Sequence, residues 1–209
     1  MLTTREWSWM TTAAKLGSKV TVTNPTDAEL VDSCLAGQRE AFDLLVERHQ
    51  RHVYQLCYRF VGNHEDASDL AQDVFIRAYR GLSKFKGEAS LGTWLYRIGV
   101  NVCLNKVGAK TPKPEALDPM LAASDERIAS HAESATEALL RGERAVQVRA
   151  AIAKLPKKQR ATLILRVYHE LPHEEIAGIL GSSVGAVKAN FFHALNNLKK
   201  LMLEAGTDR

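Results

Sequence analysis

His169-Glu170-Leu171-Pro172-His173 spells H-E-x-x-H, the pattern in which two imidazoles hold zinc while a glutamate activates water. That chemistry needs both rings on one face of a continuous helix. Pro172 removes an amide donor and disfavours helical geometry at Leu171, so the match reads as a coincidence of letters. A second group, His49, His52, His64, Glu65, Asp66 and Asp69, also has metal-ligating side chains. Its carboxylates follow Asn63, however, and suit the first turn of a helix, where negative charge faces the positive end of the dipole. No nucleophile motif or glycine-rich phosphate loop accompanies either group. The sequence therefore reads as a non-enzyme with no metal site and no cofactor.

A third constellation concerns recognition. Only Gly181-Ser182-Ser183 separates two helical stretches, Glu174 to Leu180 and Val184 to about Leu203. Helices joined so tightly cross steeply, which calls for a small residue on the first, a residue tolerant of left-handed backbone in the turn, and a branched apolar residue on the second. Ala177, Gly181 and Val187 meet these needs at the spacing of a DNA-binding helix-turn-helix. Ser183, Lys188, Ala189, Asn190, Phe192 and His193 would then face base edges, while Val184, Val187, Phe191, Leu195 and Leu198 face inward. An ordinary helical hairpin has the same requirements. The basic run Lys154-Leu155-Pro156-Lys157-Lys158-Gln159-Arg160 favours DNA, because cations at a helix start oppose its dipole and suit a phosphate backbone.

Two surfaces in the first half carry chemistry of other kinds. Asp69, Gln72, Asp73 and Ile76 form a polar, acidic stripe with one aliphatic residue beside the apolar stripe of their helix. It suits a protein partner or a solvated face. Further on, Phe85, Trp94, Tyr96 and Arg97 gather near Lys84, Lys86 and the amide of Asn101. Aromatic faces, cations and an amide are what an unstacked base requires, and packed core aromatics would give the same residues.

The elements that position these groups are helical throughout. The capping box Thr26-Asp27-Ala28-Glu29 opens a helix that ends near Gly37, and a second helix runs from about Glu40 to Val61, where Gly62 stops it. Asn63 caps a third, with Ala67, Leu70, Ala71, Val74, Phe75, Ala78, Tyr79 and Leu82 as its apolar stripe. A fourth spans about Thr93 to Val107. In the second half, helices are expected from about Gly142 to Lys154 and from about Lys157 to Tyr168, before the two already described. No period-two alternation persists, so a sheet is not expected.

The 209 residues are 45% hydrophobic and 25% charged, an ordinary globular composition that excludes collagenous and fully disordered classes. Net charge is +4, distributed as +1 over residues 1–108, −2 over 109–141 and +5 over 142–209. The middle segment holds Pro112, Pro114 and Pro119 and no aromatics, as a flexible linker would. Three widely spaced cysteines, Cys34, Cys57 and Cys103, indicate neither a disulfide framework nor a zinc knuckle. With no apolar run long enough to span a bilayer and no secretory signal, a reduced, cytoplasmic chain without membrane insertion is expected.

In order, Asp66-Ala67-Ser68-Asp69-Leu70-Ala71-Gln72-Asp73-Val74-Phe75-Ile76-Arg77-Ala78-Tyr79, then Thr93-Trp94-Leu95-Tyr96-Arg97-Ile98 with Asn101, then Leu155-Pro156 with Gln159-Arg160, then Glu174-Glu175-Ile176-Ala177 and Val184-Gly185-Ala186-Val187-Lys188 resemble a bacterial extracytoplasmic-function (ECF, group 4) RNA polymerase sigma factor over residues 26–203. The resemblance implies an all-α chain of two helical domains, sigma region 2 at 24–108 and sigma region 4 at 142–203. An extension (1–23), a linker (109–141) and a tail (204–209) complete it. Asp69, Gln72, Asp73 and Ile76 would dock on the β′ clamp helices of core RNA polymerase, which would be contacted through its β and β′ subunits. Lys84, Phe85, Lys86, Ser90, Trp94, Tyr96, Arg97 and Asn101 would open the promoter −10 element, with Asn101 touching a flipped base and the Lys84–Ser90 loop forming the rest of its pocket. Ser183, Lys188, Ala189, Asn190, Phe192 and His193 would read the −35 element, and the linker would thread towards the polymerase active centre. An anti-sigma factor is the further partner implied. Lys188, Ala189 and Asn190 stand where such factors often carry several arginines and a serine, so different −35 contacts are expected, such as Asn190 with adenine and Ala189 or Phe192 with a thymine methyl. A stand-alone helix-turn-helix regulator is the competing expectation.

Overall fold

Thr26 begins the first helix because its hydroxyl accepts from the Glu29 amide at 3.3 Å while the Glu29 carboxylate accepts from the Thr26 amide at 2.7 Å. In the computed structural model, which describes residues 25–109 and 135–207, α1 (Asp27–Leu35) follows from this reciprocal cap. The expected N-terminal extension and most of the expected linker lie outside the described residues. Arg48 and His49 both engage Asp27, at 2.7 and 2.8 Å, fastening α1 to α2 (Glu40–Val61). Gly62 ends α2 with φ +78, a left-handed geometry that a Cβ would oppose. Asn63 then caps α3 (His64–Gly81), its side-chain oxygen accepting from the Asp66 amide at 2.8 Å. A short 3-10 turn, Leu82–Lys84, leads into the loop before α4 (Leu91–Ala109).

α4 begins two residues earlier than the sequence suggested, since Ser90 caps it by accepting from the Thr93 amide at 3.1 Å. Helices α2, α3 and α4 enclose an aliphatic core that includes Leu45, Val53, Leu56, Phe60, Val74, Leu95 and Val100. Each such side chain contributes on the order of 1.5–3 kcal/mol by leaving water. Cys57 and Cys103 are fully buried in it and hydrogen-bonded to one another; that bond and burial push the Cys103 thiol well up.

The second unit comprises α5 (Ala135–Lys154), α6 (Lys157–Val167), α7 (His173–Leu180) and α8 (Val184–Thr207). α5 starts seven residues before the expected Gly142, at which a Cβ would meet nothing. A glycine in open space weakens a helix by about 1 kcal/mol without ending it, and the surrounding Ala, Leu, Glu and Arg favour helix. Leu163, Ile164, Leu165, Ile176, Ile179, Val187 and Ala194 form the core of this unit.

Two side chains expected inside are outside. Tyr79 is 49% exposed and rests edge-on against Phe42, and Leu195 is 44% exposed, its place in the core taken by Ala194. The fold is all-α, with no strand among the described residues.

Candidate nucleic-acid and partner interfaces

α3 presents Asp69, Gln72 and Ile76 to solvent along one outer stripe, with Asp73 partly exposed beside them. Asp73 is held by Arg77, whose Nε and Nη2 donate to the same oxygen at 3.0 and 2.9 Å. Tyr79 lies three residues beyond Ile76 and extends this face with an aromatic ring. The reading of Tyr79 as core missed it, although its spacing from Ile76 was the available signal.

The loop and α4 divide the second candidate set. Lys84, Lys86, Arg97 and Asn101 are exposed, the last two one helical turn apart. Phe85 packs on Trp94 with ring centroids 5.3 Å apart, and Trp94 lies against Gly81, so both rings are partly structural. Ser90 is taken up by the cap of α4. Tyr96 is set apart from this open face: its hydroxyl lies 3.0 Å from Nδ1 of His169 in the second unit, and burial pushes its phenol up to about 12. Beside it, between α2 and α4, a cavity of about 210 Å³ is lined by His49, His52, Val53, Gly92, Leu95 and Tyr96.

The helix-turn-helix has the geometry its spacing demanded. Gly181 adopts φ +56, and its neighbour Ser182 donates its amide to the Ala177 carbonyl at 2.9 Å. Val187 is fully buried, while Ser183, Lys188, Ala189, Phe192 and His193 are exposed and Asn190 is partly so. Ser183 also starts α8, its hydroxyl accepting from the Ala186 amide at 3.2 Å, a capping role the sequence reading overlooked. Phe192, 62% exposed, stands next to His193 on the free face.

The basic run is corrected in one respect. Lys154, Lys157 and Lys158 are exposed, but Arg160 is 3% exposed and offers no phosphate contact. Its guanidinium donates to the backbone carbonyls of Phe60 and, at 3.3 Å, Ala153. Burial brings it down to about 10, which leaves it charged at neutral pH. Gln159 accepts from Asn197 at 2.8 Å, tying α6 to α8.

The H-E-x-x-H residues do not share a helix. α6 ends at Val167, Glu170 takes φ +54, and α7 starts only after Pro172. His173 packs edge-on against Phe191, whereas His169 pairs with Tyr96. Among the described residues no group of three His, Cys, Asp or Glu could hold a metal ion, and no helix is long and apolar enough to cross a membrane.

Comparison with known proteins agrees with this geometry. Residues 45–111 match the Sigma-70 region 2 family and residues 145–198 match Sigma-70, region 4. The RNA polymerase sigma-H factor of Pseudomonas aeruginosa is 35% identical over 185 residues, covering 87% of this chain and 96% of that protein. The ECF RNA polymerase sigma-E factor of Escherichia coli K12 is 38% identical over 173 residues, covering 81% of this chain and 90% of that one. Among solved structures, CnrH in complex with the cytosolic domain of CnrY superposes with a TM-score of 0.60 at 26% identity, over 86% of this chain and 97% of CnrH. The stand-alone regulator is no better supported by any of these likenesses. With both sigma regions in order and relatives of this identity along most of its length, the chain belongs to the extracytoplasmic-function RNA polymerase sigma factors, the proteins that give RNA polymerase its promoter recognition.

Proposed function

We propose that the three exposed surfaces divide the work of a group 4 sigma factor. The outer face of α3, with Asp69, Gln72, Asp73 and Ile76, docks on the β′ clamp helices of core polymerase. Lys84, Lys86, Arg97 and Asn101, with the Phe85 and Trp94 rings behind them, neutralise and hold the unpaired −10 strand. α8 enters the major groove of the −35 element with Lys188 on phosphate and Asn190, Ala189, Phe192 and His193 towards base edges. Residues 24–108 and 142–203 act as the two modules and 109–141 joins them, its last residues, from Ala135, forming the start of α5. The chain works in the cytoplasm and supplies binding, with no catalysis of its own. A regulatory protein of the anti-sigma kind is its further partner, a reading supported by the resemblance and by the solution of CnrH with part of CnrY bound.

The observation that carries this reading is the Gly181 corner, which buries Val187 and leaves Lys188, Ala189, Phe192 and His193 free on one face. Run-off transcription from genomic fragments with sigma-free core polymerase tests it. Addition of the purified chain is expected to produce discrete start sites and permanganate-reactive thymines upstream of them, each dependent on core polymerase. Tight duplex binding by the chain alone, without start-site selection, would identify a free-standing regulator instead.

Lys188→Ala is expected to weaken promoter binding and to lower the log–log salt slope by about 0.9, the contribution of one phosphate contact. An unchanged slope in a salt titration of holoenzyme binding would remove Lys188 from the backbone contacts.

A further inference from the structure

The two helical units meet along α4 and the C-terminal half of α2. Tyr96 pairs with His169, their rings 4.8 Å apart. The Thr93 hydroxyl donates to Glu175 at 3.1 Å. The Arg59 guanidinium sits 3.9 Å over the Tyr168 ring, and Arg160 donates to the Phe60 carbonyl. Docking of the second unit therefore occupies the side of α4 that carries Thr93 and Tyr96, while Arg97 and Asn101 on the same helix remain exposed.

The seam contains groups that are poorly served by staying closed. His169 is partly buried, and its Nε2 is buried with no hydrogen-bond partner among the described residues. Nε of Arg160 is in the same position. An unmatched buried polar atom disfavours the state that buries it. The groups that bear on His169 are His52 and Arg59 from α2 and the neutral phenol of Tyr96 from α4, while Glu175 on α7 is engaged by Thr93. A charged imidazole would therefore lose solvent and face the Arg59 guanidinium and a second histidine, His52.

We propose that this seam is a proton-sensitive latch: docking of the second unit masks the Thr93 and Tyr96 side of α4 from DNA while Arg97 and Asn101 stay open, and protonation of His169 drives the two units apart. The masking half rests on the reading of α4 as the strand-opening helix given above; the latch itself does not. Burial, with smaller contributions from His52 and Arg59, pulls His169 down to about 4 when the units are docked. Undocked, it returns towards the ordinary value of about 6.5. Above about pH 6.5 the ring is neutral in both states and closure is undisturbed. Between about 6.5 and 4 the open state takes up a proton that the closed state refuses, so closure weakens about tenfold per pH unit as pH falls.

Small-angle X-ray scattering of the full chain, with circular dichroism on the same samples, tests the latch. From pH 7.5 to 5.5 the wild type is expected to shift its open-to-closed ratio about tenfold and to expand with helicity intact. His169→Gln, which carries no titratable group, is expected to stay compact. A pH-independent radius in the wild type, equal expansion in His169→Gln, or expansion only with loss of helicity overturns the latch. With core polymerase and a promoter taken from the transcription assay, permanganate reactivity tests the masking. The ratio of wild type to His169→Gln is expected to rise between pH 7.5 and 5.8, and a constant ratio overturns it. If neither protein opens DNA at either pH while the scattering response holds, the role given to α4 fails and the latch stands.

Discussion

Replacing Asp69 and Asp73 together with alanine is expected to reduce capture of core RNA polymerase by more than a hundredfold, with helicity unchanged. The two carboxylates project from the outer side of α3, away from the buried Leu70 and Val74. Their removal opens no cavity. The stability at risk is the Asp73–Arg77 pair, an exposed i,i+4 contact at 2.9 Å, worth roughly 0.3–0.5 kcal/mol. Truncating one member of a desolvated interfacial charge pair costs on the order of 2–5 kcal/mol. Two such losses exceed the folding effect severalfold, which separates an interface role from a structural one. Competition with labelled wild-type chain for core polymerase measures the first quantity and circular dichroism the second. Capture at wild-type strength, or a collapse of helicity, would end the assignment of this face.

Gly99→Ala is expected to destabilise the N-terminal unit by about 1–3 kcal/mol, the usual range for overfilling a packed core. A glycine-to-alanine change inside a helix ordinarily stabilises by up to about 1 kcal/mol. Here the added Cβ would stand 2.8 Å from Cδ2 of Leu56 and 3.7 Å from Cγ2 of Val74, both fully buried. The approach to Val74 is ordinary contact, but Leu56 is wholly enclosed in the core and must shift to admit the Cβ, so the overfilling is expected to outweigh the propensity and reverse the sign. Thermal unfolding should fall by roughly 4–8 °C for each kcal/mol lost in a domain of this size. A rise in melting temperature would mean that α4 does not approach α2 as closely as described.

The features that could be read from the chain were those whose physics is local. Thr26 with Glu29, Gly62 and Asn63 each set a helix boundary through atoms within a few residues of one another, and all three act as their types require. The Gly181 turn was legible for the same reason. What escaped depends on neighbours distant in sequence. Tyr79 fits the apolar stripe by spacing, yet it stays half exposed, edge-on against Phe42. Arg160 looks like one more cation in a basic run, and becomes buried because the carbonyl of Phe60, a hundred residues away, accepts from it. Gly142 reads as a helix boundary by type, yet α5 runs through it because a glycine in open space is tolerated there. Of the candidate site, the exposed members of α3 and α8 were legible from amphipathic pattern. The engagement of Tyr96 and Thr93 by the second unit left no trace in spacing or composition.

The buried thiol pair has a practical consequence. Cys57 and Cys103 are sealed between helices, whereas Cys34 is only partly covered, its thiol pushed up by burial and by Asp43. An alkylating reagent therefore finds one slow target on the native chain and two more once the helices part. Counting adducts by mass spectrometry turns the molecule's own sulfur into a clock for how often its first half comes undone.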